Sequence, residues 1–446
     1  MGRYFGTDGI RGKANETLKL ETAYKVGRFI GYYYKDKNEK GILIGKDTRL
    51  SSSMFESALA AGISASGNNA YLLGYCSTPS LAYLAQKDKY ACGVMISASH
   101  NPFYDNGIKI FGNDGIKIHD EIESLIEDYI DSGEGIDFAV NENIGKIIDI
   151  KDSLTEYKNW LSDLYPLDLK GYKLLADLAN GSNCVMAKDV LAKTNATVTY
   201  INDDFDGTNI NNNCGSTHLD MLKEKIKAGN YDLGFAFDGD ADRVLFVDHN
   251  GQLVDGDKIM YLLALNLKEE GKLNNNTLVT TVMSNIGLHK ICKEKGINTK
   301  ITAVGDKNVL DCMLDNEYDV GGEQSGHIIL RRDSYFGDGL KTALAVLSVL
   351  KKLNVSLQDS VKEVKIYPQL LINQKVNDKN IVLNDEEINK VIKEVEEELG
   401  DSGRILVRPS GTEPLIRVMV EAESDELCEK HVMRVINLIK EKGYAK

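Results

Sequence analysis

Tyr231-Asp-Leu-Gly-Phe-Ala-Phe237-Asp-Gly-Asp240-Ala-Asp-Arg243-Val-Leu-Phe-Val247 sets two short apolar runs, Leu233–Phe237 and Val244–Val247, around an acidic turn. Each run has the length and residue types of a buried strand. Between them Asp238, Asp240 and Asp242 alternate with small residues, so all three carboxylates can turn onto one hard cation. Oxygen-only ligands point to Mg²⁺ or Ca²⁺ rather than zinc. An EF-hand loop is excluded, because Arg243 stands where its turn glycine belongs and His249 where its closing glutamate belongs. A solvated acidic turn is the plainer reading. It fits poorly at the end of a buried strand, where an uncompensated carboxylate cluster is costly.

The same plan occurs twice more. Tyr90-Ala-Cys-Gly-Val-Met-Ile-Ser-Ala-Ser99 and Tyr318-Asp-Val-Gly-Gly-Glu-Gln-Ser-Gly-His327 also open with tyrosine, carry glycine at the fourth position and end in a polar loop. Nine residues beyond each tyrosine stand Ser99, Asp240 and His327. Strand-like runs precede the copies at Ile42–Ile44, Leu174–Ala176 and Leu278–Thr281, and second strand candidates follow at Ala70–Leu73 and Ala196–Ile201. Strands alternating with helical stretches predict α/β domains with largely parallel sheets. Turn signals at Asp114-Gly115 and Asn250-Gly251 predict hairpins over 108–118 and 244–254, hence mixed sheets with an antiparallel edge. Three homologous loops could then converge on one cleft.

The tail departs from this plan. It predicts a helix over 385–398, strands at Arg404–Val407 and Leu415–Ala422, and a helix capped by Asp425 with Val432, Val435, Ile436 and Ile439 on one face. The fold expected is therefore α/β: three homologous domains with mixed sheets over residues 1–150, 151–252 and 253–365, and a smaller α+β lid domain over 366–446.

Three further loops carry chemistry. Ile96-Ser-Ala-Ser99-His100-Asn-Pro102 offers a serine that lacks the G-x-S-x-G elbow of acyl-transfer enzymes. Its hydroxyl, or a phosphate on it, could complete the ligand set of the three aspartates, with His100 a catalytic candidate beside it. Val407-Arg408-Pro-Ser410-Gly411-Thr412-Glu-Pro414, with Arg417 beyond, suits a phosphate gripped by guanidinium, hydroxyls and backbone N–H groups. It is not a Walker loop. Gly321-Gly-Glu323-Gln324-Ser325-Gly-His327 could read sugar hydroxyls. Arg11, in Phe5-Gly-Thr-Asp-Gly-Ile-Arg-Gly12, is an electrostatic partner for phosphate, and Lys109 is a proton carrier if a nearby cation lowers its pKa. An ordinary polar turn is the rival reading of each loop taken alone.

The 446 residues carry a formal net charge of −14, which disfavours nucleic acid and anionic membranes as partners but admits an anionic small substrate. Seven cysteines at 76, 92, 184, 214, 292, 312 and 428 form no C-x-x-C pair. With no signal-like N-terminus and no long apolar run, the expected location is cytoplasmic.

Ser97–Pro102, Asp238–Arg243, Gly322–His327 and Arg408–Pro414, in this order, resemble the four signature loops of the α-D-phosphohexomutase superfamily, from end to end of the chain. Phe5–Gly12 and Gln324 place the resemblance in its amino-sugar branch; the hexose-acting branch more often has Met at the Gln324 position. The resemblance implies four domains around a central cleft, a phosphorylated Ser99, and one Mg²⁺ per chain held by Ser99, Asp238, Asp240 and Asp242. It implies that Glu323 and Ser325 contact the sugar, and that Arg408, Ser410, Gly411, Thr412 and Arg417 hold the phosphate that is not transferred. Arg11, Lys109, Arg243 and His327 would surround the reacting phosphate. The activity implied interconverts glucosamine 6-phosphate and glucosamine 1-phosphate through a 1,6-bisphosphate of glucosamine or glucose, for amino-sugar synthesis, in a homodimer. One departure is Gly305-Asp-Lys307-Asn308, where the branch has Gly-Asp-Arg-Tyr, which removes a fork-shaped contact. The rivals are the same chemistry on glucose or mannose phosphates, a metal-dependent sugar phosphatase, and a sugar-phosphate binding protein with an inert site.

Overall fold

The run Tyr90–Ile96 is buried at every position, as a strand covered on both faces must be. Around it, in the computed structural model, which describes residues 2–35, 40–410 and 414–446, a first sheet assembles. It contains β1 (Phe5–Gly6), β2 (Gly9–Lys13), β3 (Lys40–Lys46), β4 (Ala70–Tyr75), β5 (Tyr90–Ile96), β6 (Asp105–Gly112) and β7 (Ile147–Asp149), in the order β1-β2-β6-β5-β3-β4-β7. A second sheet contains β8 (Lys173–Asp177), β9 (Thr197–Ile201), β10 (Leu233–Phe237), β11 (Val244–Asp248) and β12 (Leu253–Val254), ordered β12-β11-β10-β8-β9. The third contains β13 (Thr277–Thr281), β14 (Asn298–Thr302), β15 (Val320–Gly322) and β16 (Ile328–Leu330), ordered β14-β13-β15-β16.

The tyrosine repeat is thus a repeat of topology. β6-β5-β3-β4, β11-β10-β8-β9 and β16-β15-β13-β14 are one pattern, with parallel central strands and an antiparallel last pair. Each chemistry-bearing loop joins the two strands of that antiparallel pair. Ser99 follows β5, the three aspartates follow β10, and Glu323–His327 follow β15. All three leave the carboxyl ends of inner strands, where open α/β sheets place their ligands. Helices Leu20–Tyr33 and Ser52–Ala65 bury Val26, Ile30, Phe55 and Leu59 with Ile42, Ile44, Val94 and Ile96, which anchors the frame beneath the Ser99 loop.

The chain divides into two units, one running to Met283 and including Ile297–Lys362, the other formed by Ser284–Gly296 with Glu363–Lys446. In the second unit β17 (Gln369–Lys375), β18 (Arg404–Pro409) and β19 (Leu415–Glu421) form an antiparallel sheet ordered β17-β19-β18. Its core takes Val432, Val435, Ile436 and Ile439 from helix Asp425–Glu441. Segment 284–296 packs within this unit, where Ile286 N and Arg404 both donate to the buried carboxylate of Glu421.

Two local expectations are corrected. Beyond Asp114-Gly115 there is no second strand; Gly115 turns at φ +76° and a single bridge joins Phe111 to Lys117. β6 pairs with β5 along 108–112 but with β2 only along 105–108, and the remaining edge bonds the return from the turn, Gly112 N donating to Ile116 O and Ile118 N to Ile110 O, too briefly to make a strand. The last helix is capped by Ser424, whose hydroxyl accepts from Leu427 N, and Asp425 lies inside its first turn. β17 carried no signal recognised in the sequence. No disulfide joins any of the seven cysteines, and among the described residues no helix is long and apolar enough to cross a membrane.

Candidate active site

Ser99 is fully buried and sits at φ +51°, a left-handed conformation that costs a residue with a Cβ roughly 1–2 kcal/mol. Its Oγ donates to Asp238 Oδ2 at 2.5 Å, across two sheets and 139 residues of chain. His100 Nδ1 stands farther off, at 3.4 Å from Oγ, and the same ring nitrogen is 3.4 Å from Arg243 Nη1. Burial first, then Arg243 and Arg11, push the His100 pKa down to about 4, so the imidazole is neutral. Asp238 is therefore the nearer partner of Ser99, and His100 is second.

The aspartates do converge. Asp238, Asp240 and Asp242 each offer an oxygen within 4.8 Å of the others, all three residues buried. Asp240 Oδ1 and Asp242 Oδ1 have no hydrogen-bond partner. Burial, reinforced by Asp242 and Asp240, pushes the Asp238 pKa well up. Burial also works against Asp242 as an anion, but Lys109, His327 and Arg243 outweigh it and hold its pKa well below the ordinary range. A buried all-oxygen cluster with two unpartnered carboxylate atoms is what a hard divalent cation satisfies, so these residues fit Mg²⁺.

Cations ring the cluster. Lys109 Nζ lies 2.8 Å from Asp240 Oδ2, 3.3 Å from Asp8 Oδ2 and 3.5 Å from Asp242 Oδ2. Burial alone would lower its pKa, but Asp240, Asp8 and Asp242 outweigh it and raise it. The lowered pKa expected of a proton carrier is thus reversed: Lys109 is a fixed ammonium, because it faces carboxylates. His327 Nδ1 is 3.7 Å from Asp242 Oδ2, and a bridge joins Arg243 to His327. Arg11 pairs with Asp8.

Three members of this network escaped the sequence reading. Asp8, Lys117 and Asp306 form a chain, with Lys117 Nζ 2.6 Å from Asp8 Oδ1 and 2.7 Å from Asp306 Oδ2. Burial opposes the Asp8 anion, yet Lys109, Lys117 and Arg11 hold its pKa well below ordinary. The available signal was Asp8 itself, inside the glycine-rich stretch quoted for Arg11. At the departure Gly305–Asn308, Asp306 turns toward Lys117 and His327, whereas Lys307 pairs with Asp120 near the surface.

The third loop is preorganised. Glu323 Oε1 accepts from Gly305 N at 2.9 Å, and Ser325 Oγ donates to Oε2 at 3.2 Å. Gly326, at φ +93°, lies where a Cβ would meet Val244 O at 2.3 Å, so only glycine permits this turn. Leu245, Leu253, Thr281, Met283 and Val304 join Glu323 and Ser325 in lining an adjacent cavity of about 460 Å³. In the second unit, Arg408 and Arg417 are direct cross-strand partners in β18 and β19. Burial and then Arg417 lower the Arg408 pKa, and Arg417 Nε is buried with no hydrogen-bond partner among the described residues. Ser410 is buried at the end of β18; Gly411 and Thr412 lie outside the described residues.

Comparison with known proteins agrees with this arrangement. Models of phosphoglucomutase/phosphomannomutase α/β/α domains I, II and III match residues 2–136, 152–251 and 255–367, and the model of that family's C-terminal domain matches 371–438. A phosphoglucosamine mutase of Lachnoclostridium phytofermentans is 50% identical over 448 residues, covering 100% of both chains. That of Bacillus subtilis is 45% identical over 442 residues, covering 99% of both. The crystal structure of Aspergillus fumigatus N-acetylphosphoglucosamine mutase, in complex with GlcNAc-6P and magnesium, shares the fold at TM-score 0.73 and 18% identity, covering 98% of this chain and 95% of that one. A Burkholderia thailandensis phosphoglucomutase/phosphomannomutase family protein does so at TM-score 0.80 and 22% identity, covering 97% of each. With four successive domain models spanning it and full-length relatives at up to half identity, the chain belongs to the phosphoglucomutase/phosphomannomutase family, alongside its phosphoglucosamine mutases.

Proposed function

We propose that the protein is an isomerase that interconverts glucosamine 6-phosphate and glucosamine 1-phosphate by phosphoryl transfer through Ser99. The observation that carries this is the 2.5 Å contact that seats Ser99 Oγ on the rim of a buried three-aspartate cluster. In the forward direction the phosphoryl group leaves Ser99 Oγ for O1 of the sugar, giving a 1,6-bisphosphate and a free hydroxyl. After the intermediate turns over, its 6-phosphoryl group returns to Oγ, so ester phosphate is conserved. Mg²⁺, held by Asp238, Asp240, Asp242 and the Ser99 oxygen, would neutralise charge on the transferring group.

The chain's own residues divide the remaining work. Arg11, Lys109, Arg243 and His327 face the developing negative charge from fixed positions, and such preorganisation dominates phosphoryl transfer. The fixed Lys109 ammonium acts electrostatically. Glu323 and Ser325 bind the sugar, with Glu323 able to accept from an ammonium or a hydroxyl. Arg408, Ser410 and Arg417 grip the phosphate that is not being transferred, as would Gly411 and Thr412. Preference for the amino sugar is supported by the phosphoglucosamine mutases at 45–50% identity. The same relatives support a cytoplasmic location, and a homodimer is the assembly expected.

Turnover of glucosamine, glucose and mannose 6-phosphates, each compared as kcat/KM with Mg²⁺, tests the assignment. Glucosamine 6-phosphate should lead. A preference for glucose or mannose would move the protein to the hexose-acting branch with the mechanism unchanged.

A further inference from the structure

The Ser99 loop is held through its backbone carbonyls by two side chains from outside it, Arg49 and Asn211. Arg49, fully buried, uses all five of its guanidinium N–H donors. Nε donates to Asp47 Oδ2 at 2.8 Å; Nη1 donates to the carbonyls of Pro102 and Asp105; Nη2 donates to those of Ser99 at 2.8 Å and Asn101 at 2.9 Å. One side chain therefore grips four carbonyls of the segment that carries Ser99. From the second sheet's domain, Asn211 Nδ2 reaches two of the same carbonyls, Ser99 O at 2.8 Å and Asn101 O at 3.1 Å.

The neighbours of Arg49 in sequence extend the junction. Thr48 Oγ1 donates to Asn180 O at 2.6 Å, and Leu50 N donates to Gly207 O at 2.8 Å. Opposite them, Gly239 of the aspartate loop lies so close that a Cβ would stand 2.6 Å from Ser99 O and 2.8 Å from Asn211 Nδ2. The Ser99 carbonyl is thus boxed in by Arg49, Asn211 and Gly239, which fixes the peptide whose φ is +51°. A buried guanidinium with every donor used sets geometry more than it adds stability.

We infer that Arg49 and Asn211 are positioning residues: together they hold Ser99 in its left-handed conformation and register its loop, in the first domain, on the aspartate loop of the second. The inference rests on Ser99 being the reacting group of the proposed function. Transfer from Oγ tolerates little displacement, since a misplacement of about 1 Å can cost roughly 10²-fold in rate.

Asn211→Ala is the discriminating variant, because it deletes two hydrogen bonds and leaves the Arg49 pair in the core. With glucosamine 6-phosphate and Mg²⁺, kcat should fall about 10²-fold while KM stays within about 2-fold. Arg49→Lys keeps the charge on a point donor that cannot span the carbonyls, and should lose a comparable factor. Wild-type kcat in Asn211→Ala would overturn the inference, as would a loss fully explained by a smaller folded fraction. A crystal structure of Asn211→Ala decides the geometry whatever the turnover. Ser99 leaving the left-handed region, with Oγ drawn off Asp238, supports the inference, and Ser99 unchanged near φ +50° refutes it. Absence of turnover in the wild type would instead sink the proposed function, and the crystal structure would still judge the clamp.

Discussion

The Ser99–Asp loops of the first unit and the Arg408–Arg417 strand pair of the second handle charge in opposite ways. Around Ser99, Lys109 is matched by Asp240, Asp8 and Asp242, and the buried atoms without a hydrogen-bond partner among the described residues are of both signs, Asp240 Oδ1 and Asp242 Oδ1 beside Arg11 Nε and Arg243 Nε. In the second unit Arg408 and Arg417 are cross-strand partners in β18 and β19, where like charges directly opposite oppose one another. The proposed function gives the first region a cation to hold and the second an anion. The difference also separates roles: removing a group from the first should act on kcat, and removing one from the second should act on KM.

The most damaging change should be Ser99→Ala. It removes the phosphoryl acceptor from a rigid frame, so turnover should fall by at least ~10⁴-fold while thermal unfolding stays close to wild type. Steady-state rates within tenfold of wild type would contradict it. Asp240→Asn comes next, with an expected loss on the order of 10²–10³-fold and a weaker dependence on Mg²⁺ in a metal titration. A fully active variant indifferent to Mg²⁺ would remove Asp240 from the ligand set.

In the second region Arg417→Ala should raise KM about 10- to 100-fold and leave kcat within a few-fold. Unaltered KM would take Arg417 out of phosphate binding and end the contrast. The smallest effect concerns stability. Burial and then Arg404 hold the His289 pKa down to about 4, against 6.5 in the unfolded chain. The unfolded state therefore binds the proton first. Stability present in full above about pH 6.5 is lost as pH falls toward 4, by up to ~1.4 kcal/mol per pH unit. Melting curves of His289→Asn, set against wild type across that window, should show a shallower fall; parallel curves would mean that His289 keeps its ordinary pKa.

The two regions also differed in how far residue order disclosed them. The aspartate loop was legible because alternation puts three carboxylates within one turn, at the end of a buried strand. The tyrosine spacing then exposed the repeat, since an inner strand leads into each loop and the same nine-residue step reaches Ser99, Asp240 and His327. Asp8, Lys117, Asp306, Arg49 and Asn211 lack such local patterns. Lys117 lies 189 positions from Asp306, and Asn211 is 112 from Ser99, so only sheet order brings them together. The Asp114-Gly115 turn forms as its residues dictate, and its return bonds β6 at Ile110 and Gly112, but too briefly to make the second strand expected.

The most direct trial of the central claim is ³¹P NMR of protein phosphorylated on Ser99, mixed with Mg²⁺ and glucosamine 6-phosphate. The phosphoserine signal should give way to glucosamine 1,6-bisphosphate and then glucosamine 1-phosphate, with total ester phosphate constant. Inorganic phosphate rising in place of the 1-phosphate would show that Ser99 passes its phosphoryl group to water, and would make the protein a phosphatase.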